Sequence, residues 1–144
     1  MSYLIDTNVI SELRKGARAD PRVAGWFAGL AEDELYLSAL TIGEIRKGIE
    51  RVRLRDRRAA ASLERWLREV IDSHRDRILP VDEIVAEEWG RLSVPDPLPV
   101  VDGLLAATAA VHGLVLATRN VKDLRRTGVP LLNPFDPIST QPRS

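Results

Sequence analysis

The apolar positions of this chain change period repeatedly, and each change marks an element. Tyr3-Leu4-Ile5 is a short continuous apolar run that stops at the polar corner Asp6-Thr7-Asn8, after which Val9, Ile10 and Leu13 recur at helical spacing until Gly16. This predicts strand, corner, helix. Pro21 opens a second helix with Val23, Trp26, Phe27 and Leu30 on its apolar side, and Leu35-Tyr36-Leu37 is a second strand ending at Ser38. From Thr41, the set Ile42, Ile45, Ile49 and Val52 predicts an amphipathic helix. Beyond the charged stretch 53–58, Leu63, Trp66, Leu67, Val70 and Ile71 predict another, the two forming a hairpin or a bent pair. Ile78 to Val81 reads as a third strand, and Asp82-Glu83 supplies a cap and a first-turn acid for a helix running to about Leu92.

Prolines at 95, 97 and 99 exclude regular helix between Ser93 and Pro99. The next segment, Val100 to Val111, is apolar nearly all round and predicts a buried helix that Gly113 ends. Leu114 to Ala117 is a fourth strand, Thr118-Arg119-Asn120 a second polar corner ahead of Asp123 and Leu124, and Gly128 turns the chain into a last strand near Leu131 and Leu132. Strands alternating with helices predict an α/β fold, with a mostly parallel sheet covered by helices on both faces. The domain is expected over residues 1–136, with a flexible tail over 137–144.

At 144 residues the chain suits one domain with a sizeable core. The absence of cysteine excludes thiol nucleophiles, zinc ribbons and iron–sulfur ligation, and favours the cytoplasm as the expected location. The opening residues, with Asp6 and Glu12 and no long apolar core, are not expected to act as a signal peptide, and no run of 18 uncharged apolar residues occurs, so no membrane association is expected. Basic and acidic side chains balance at 21 each, so any nucleic-acid binding must be local.

In an open parallel sheet, ligands bind beyond the carboxyl ends of the strands. The corner residues there are acidic: Asp6 after the first strand, Glu44 one turn into the helix after the second, Asp102 at the opening of the apolar helix, and Asp123 beyond the fourth strand. Several carboxylates sharing a cleft stay ionised only with a cation, and hard oxygen ligands suit Mg²⁺ or Mn²⁺, which polarises a phosphate and supplies hydroxide for attack on phosphorus. Each acid also has a plainer reading. Asp6 could cap the following helix, Glu44 could close a capping box with Thr41, Asp102 could cap a helix starting at Gly103, and Asp123 could be a surface turn acid. His74 and His112 read as satisfied surface or core histidines. No zinc-protease, serine-elbow or nucleotide-loop motif occurs.

Arginine outnumbers lysine 18 to 3, with Arg46, Arg51, Arg53, Arg55, Arg57 and Arg58 crowded into one window. Such a run is a solvated helix face, an acidic-peptide site or a phosphate grip.

Four blocks then match a known pattern. Tyr3 to Glu12, Leu37 to Gly48, Val101 to Ala109 and Leu116 to Leu124, in this order and with these gaps, resemble the PIN-domain ribonucleases, specifically the VapC/FitB-like toxins of type II toxin–antitoxin pairs. The ending Asn133-Pro134-Phe135 is similar to that of the FitB-like branch. The resemblance implies a Rossmann-like three-layer α/β/α PIN fold, a homodimer, and Mg²⁺- or Mn²⁺-dependent endoribonuclease activity on single-stranded RNA. It further implies neutralisation by a small cognate antitoxin whose tail enters the active-site groove, with DNA met only through that antitoxin. By motif, Asp6, Glu44, Asp102 and the more variable Asp123 become the catalytic metal ligands, Thr7, Thr118 and Asn120 their support, and Arg46 and Arg119 candidate phosphate contacts. Arg53, Arg55 and Arg57 are the outer substrate-binding candidates. The expected hydrolysis is in line at phosphorus, leaving a 5′-phosphate and a 3′-hydroxyl. The short, proline-rich stretch before Asp102 departs from the longer polar loop of many relatives, which bears on groove shape. Two other classes stand beside this one: a catalytically inactive interaction or nucleic-acid-binding module, and a phosphohydrolase of small esters.

Overall fold

A computed structural model describes residues 1–136. Five strands, β1 (Tyr3–Ile5), β2 (Leu35–Ser38), β3 (Ile78–Leu79), β4 (Val115–Ala117) and β5 (Leu131–Leu132), form one sheet in the order β3-β2-β1-β4-β5. Every pairing is parallel, with Leu4 opposite Tyr36 on one side and Leu116 on the other. Seven helices connect them: α1 (Thr7–Leu13), α2 (Pro21–Ala28), α3 (Ala39–Arg53), α4 (Arg57–Ser73), α5 (Glu83–Leu92), α6 (Val100–His112) and the single turn α7 (Val121–Leu124).

The side-chain alternation of a strand sorts these helices into two layers. Ile5, Leu35 and Leu37 face a core built with Val9 and Ile10 of α1, Val23 of α2, Ile45 and Ile49 of α3, and Leu67 and Val70 of α4. Leu4 and Leu116 point the opposite way, onto Leu105, Ala106 and Ala109 of α6 with Val121 and Leu124 of α7. A sheet buried on both faces explains why its strands are unbroken apolar runs rather than alternating ones. The expected three-layer α/β/α arrangement is the one found.

Two boundaries differ from expectation for local reasons. The helix expected from Thr41 begins at Ala39, because Ser38 at the end of β2 accepts a hydrogen bond from the Leu40 N–H and caps it. The helix holding Asp102 begins at Val100 behind Pro99, as its apolar run predicts, so Asp102 sits inside the first turn and does not cap a helix starting at Gly103. Proline is suited to that boundary because it fixes φ and has no N–H to leave unpaired. The third strand is shorter than expected, ending at Leu79 where Pro80 follows. Asp82 caps α5 as its sequence implies, accepting from the Val85 N–H at 3.0 Å. The proline-rich stretch is pinned from across the fold, since the Arg126 guanidinium donates to the carbonyls of Asp96 and Pro97. At the close approach of α5 and α6 the chain needs Gly103, where an added Cβ would stand 2.9 Å from the Trp89 ring.

The strand order places a topological switch between β1 and β4, since the chain leaves β1 toward β2 and returns to pair β4 on its other side. At that point the carboxyl ends of two neighbouring strands diverge into different helices, which opens a crevice. The Asp6 N–H donates to the Ala117 carbonyl at 2.9 Å, so the residues following β1 and β4 are held side by side there.

Candidate metal and phosphodiester site

Asp6 closes β1 and caps α1, with Oδ1 accepting from the Thr7 N–H at 2.7 Å. Its other oxygen accepts from the Thr118 hydroxyl at 2.7 Å and from the Asn8 side-chain amide at 3.4 Å. The capping reading of Asp6 is therefore correct, and yet it uses only one of the two carboxylate oxygens. Asp6 is 7% exposed. Burial pushes its carboxyl above the usual 3.8, the bonds from Thr118 and Thr7 oppose that, and the negative charges of Asp102 and Glu44 push it further up.

Thr118 and Asn120 bind the next acid into the same crevice. The fully buried Thr118 hydroxyl accepts from the Asn120 N–H at 3.0 Å, and the Asn120 side-chain amide donates to Asp102 Oδ2 at 2.8 Å. Asp102 lies in the first turn of α6, where the helix dipole favours a negative charge. Glu44 enters from α3. Because that helix starts at Ala39 under Ser38, Glu44 lies well past the first turn and the proposed capping box with Thr41 does not form. Glu44 lines an open groove of about 320 Å³ together with Thr7, Ser11 and Arg14 of α1 and Leu63 and Trp66 of α4.

Among the described residues, Asp6, Glu44 and Asp102 take part in no salt bridge. The three are electrostatically coupled but do not close into a ready-made cage, and no group of three acid or imidazole side chains among the described residues does so. The donor set fits a hard divalent cation all the same. A buried carboxylate bonded only by neutral donors, with two further carboxylates acting on it, carries uncompensated negative charge that a cation would relieve. The Thr7 hydroxyl, buried at the groove beside Glu44 with no hydrogen-bond partner, adds an unused polar atom at the same place.

The remaining sequence candidates fall in different places. Asp123 is exposed on α7 and makes no hydrogen bond or ion pair among the described residues. Thr7 supports Asp6 through its backbone N–H rather than its hydroxyl. Arg46 donates to Glu50 and Glu64 at 3.1 and 2.8 Å, and Arg53 grips the same two carboxylates, so this pair cross-links α3 to α4. Arg53, Arg55 and Arg57 lie where α3 gives way to α4, with Arg53 about 14 Å along the helix from Glu44 at 1.5 Å per residue. Arg119 is different: it stands between Thr118 and Asn120, its N–H donates to the Asn8 side-chain carbonyl at 3.3 Å, and its guanidinium lies 3.7 Å from the Phe135 ring centre. Asn8 had no assigned role from sequence, although an amide two residues after an acid in a strand-to-helix corner is a recurrent turn signal.

Comparison with known proteins agrees with this geometry. The PIN domain family model matches residues 3–130. VapC ribonuclease Y4jK of Sinorhizobium fredii is 34% identical over 139 residues, covering 93% of this chain and 98% of that protein. Toxin FitB of Neisseria gonorrhoeae is 33% identical over 137 residues, covering 92% and 97%. The crystal structure of FitAcB from Neisseria gonorrhoeae superposes with a TM-score of 0.82 at 33% identity, over 92% of this chain and 98% of that one. A match across nearly the whole domain, with the two polar corners meeting at the switch point, places this chain in the PIN-domain family, in its VapC/FitB-like branch.

Proposed function

We propose that this protein is a divalent-metal-dependent endoribonuclease acting on single-stranded RNA, and the toxin of a toxin–antitoxin pair. The observation that carries the reading is Asp6: a buried carboxylate in the switch-point crevice, unpaired with any cation, with Asp102 and Glu44 close enough to raise its pKa. Asp6, Glu44 and Asp102 would hold Mg²⁺ or Mn²⁺, with Asp123 as a more distant and variable contributor. When bound, the cation supplies Lewis-acid polarisation of the phosphate and lowers the pKa of water.

The chain's own residues do the positioning. Thr118 donates to Asp6 while its oxygen accepts from Asn120, and Asn120 in turn donates to Asp102, so one corner fixes two carboxylates relative to each other. Neutral donors orient the acids without neutralising them, which leaves their charge for the cation. The groove running from Glu44 past Ser11 and Arg14 to Trp66 is the route we assign to an extended segment, RNA in the free enzyme and the antitoxin tail in the inhibited one. Similarity to the toxin FitB supports the antitoxin partner. DNA would be met through that antitoxin, and a homodimer is the expected assembly.

The direct experiment offers the purified protein single-stranded RNA and a phosphate monoester in Mg²⁺ or Mn²⁺, with and without EDTA. RNA cleaved internally to 5′-phosphate ends, abolished by EDTA, with the monoester untouched, is the expected result. A monoester preference would make this a small-ester phosphohydrolase. No cleavage of either would make it an inactive interaction module.

A further inference from the structure

Arg46 and Arg119, the two arginines expected to contact phosphate beside the acids, differ in what their donors are doing. Arg46 spends its N–H groups on Glu50 and Glu64. Arg119 spends none: its side chain makes no hydrogen bond or ion pair among the described residues, and its guanidinium sits 3.7 Å from the centre of the Phe135 ring. A planar guanidinium lying over an aromatic face is held through its π surface, which leaves the in-plane N–H fork available for a phosphate. The ring itself is anchored. Phe135 is 6% exposed and packs with the core beneath α1 to α4, and its N–H donates to the Asn133 side-chain carbonyl at 2.9 Å. At the other end, the Arg119 backbone is fixed by Asn8 and flanked by the two residues that bind Asp6 and Asp102.

We infer that Phe135 is a positioning residue that holds Arg119 at the rim of the acid crevice to grip a phosphate of the RNA strand neighbouring the one that is cut. This rests on the ribonuclease reading and adds to it a substrate contact and the residue that preorganises it. The shelf is needed because the crevice is acidic and the chain as a whole carries no net charge, so a polyanion gains attraction only from fixed local cations. An unsupported exposed arginine would sample many rotamers, some over the carboxylates it should leave free. Stacking on Phe135 removes that freedom before the RNA arrives.

The test measures binding of a single-stranded oligoribonucleotide in Ca²⁺ over a salt series, with cleavage in Mn²⁺ recorded in parallel. Arg119→Gln should weaken binding about tenfold and lower the salt slope by about 0.7, the contribution of one single-strand phosphate. Arg119→Lys, which keeps the charge and loses the planar fork, should weaken binding and leave the slope unchanged. Phe135→Leu should weaken binding about threefold in the wild-type background and not at all in the Arg119→Gln background, since it acts through Arg119. An Arg119→Gln protein with wild-type affinity and slope would overturn the inference, as would Arg119→Lys binding like wild type. A Phe135→Leu loss that persists in full without Arg119 would make the ring merely structural. Failure of the ribonuclease reading is separately visible, as wild-type protein that leaves RNA uncut in Mn²⁺.

Discussion

Replacing Asp6 by asparagine should move stability and activity in opposite directions, and the hydrogen bonds around it set the size of both effects. The amide keeps one carbonyl oxygen for the Thr7 N–H, now accepted at 2.7 Å. At the other position an NH₂ replaces the oxygen that accepts from Thr118 and Asn8. Thr118 must then accept instead of donate, and one lone pair remains for this because the other receives the Asn120 N–H. The substitution therefore forfeits about one hydrogen bond, on the order of 1 kcal/mol. Against this it removes a buried negative charge and its repulsion with Asp102 and Glu44, which together outweigh the favourable bonds, since the net direction of the Asp6 shift is upward. Metal-free Asp6→Asn should thus be more stable than wild type at neutral pH.

The pH dependence follows from the same sign. A carboxyl with its folded pKa raised costs nothing while protonated in both states, below its unfolded value near 3.8. The cost of ionising it in the folded protein then develops as pH rises through the raised value. The stability gap between variant and wild type should therefore be small in acid and open toward neutral pH. Urea unfolding in EDTA across that range measures it. A variant less stable than wild type at pH 7, or a gap independent of pH, would refute the claim that Asp6 is an uncompensated buried charge. In Mn²⁺ the same variant should lose at least about 100-fold in RNA cleavage, the scale of losing several kcal/mol of charge stabilisation.

Other perturbations follow from the same contacts. Mn²⁺ or Mg²⁺ should raise the wild-type melting temperature by mass action, by about 2.7 kcal/mol of stability at 100 times Kd, and this gain should vanish in Asp102→Asn; equal shifts in both would remove Asp102 from the ligand set. Thr118→Val, at a fully buried position, deprives Asp6 of its 2.7 Å donor and the Asn120 N–H of its acceptor. It should cost about 1–3 kcal/mol in urea unfolding, and an unchanged midpoint would show that the corner does not depend on this hydroxyl. Gly103→Ala places a methyl 2.9 Å from the Trp89 ring and should cost about 1–3 kcal/mol through overpacking of α5 on α6, whereas a neutral result would mean the two helices separate freely.

Much of the fold was legible because its signals are local. The strand runs at Tyr3, Leu35 and Leu114, the Asp82 cap and the Gly113 stop each depend on a few adjacent residues. Element starts are less legible where two neighbours compete for one role: Ser38 and Thr41 both offer a cap, and in the fold Ser38 takes it by accepting from the Leu40 N–H. That choice also removes the capping role from Glu44 and frees it for the groove. Partnerships between distant residues lay beyond sequence reasoning. The bonds from Thr118 to Asp6 and from Asn120 to Asp102 span 112 and 18 residues, and nothing in spacing says which corner supports which acid. The pairing within the arginine run is illegible for a related reason. Its charges suggest a phosphate surface, but Glu50 and Glu64 engage Arg46 and Arg53 across two helices, so their donors are turned inward to the α3–α4 pair. Phe135 lies 16 residues beyond Arg119 and stacks on it only once β5 has returned the chain to the sheet.

The central claim is that Asp6, Glu44 and Asp102 hold the cation with which this protein cuts RNA. Its most direct test is a Mn²⁺ titration of single-stranded RNA cleavage by wild type and Asp102→Asn in parallel. The account predicts cleavage that rises with Mn²⁺ from none in EDTA, and a loss of at least about 100-fold in the variant that excess metal only partly restores. Cleavage by Asp102→Asn at the wild-type rate across the titration, or wild-type cleavage that persists in EDTA, would contradict it.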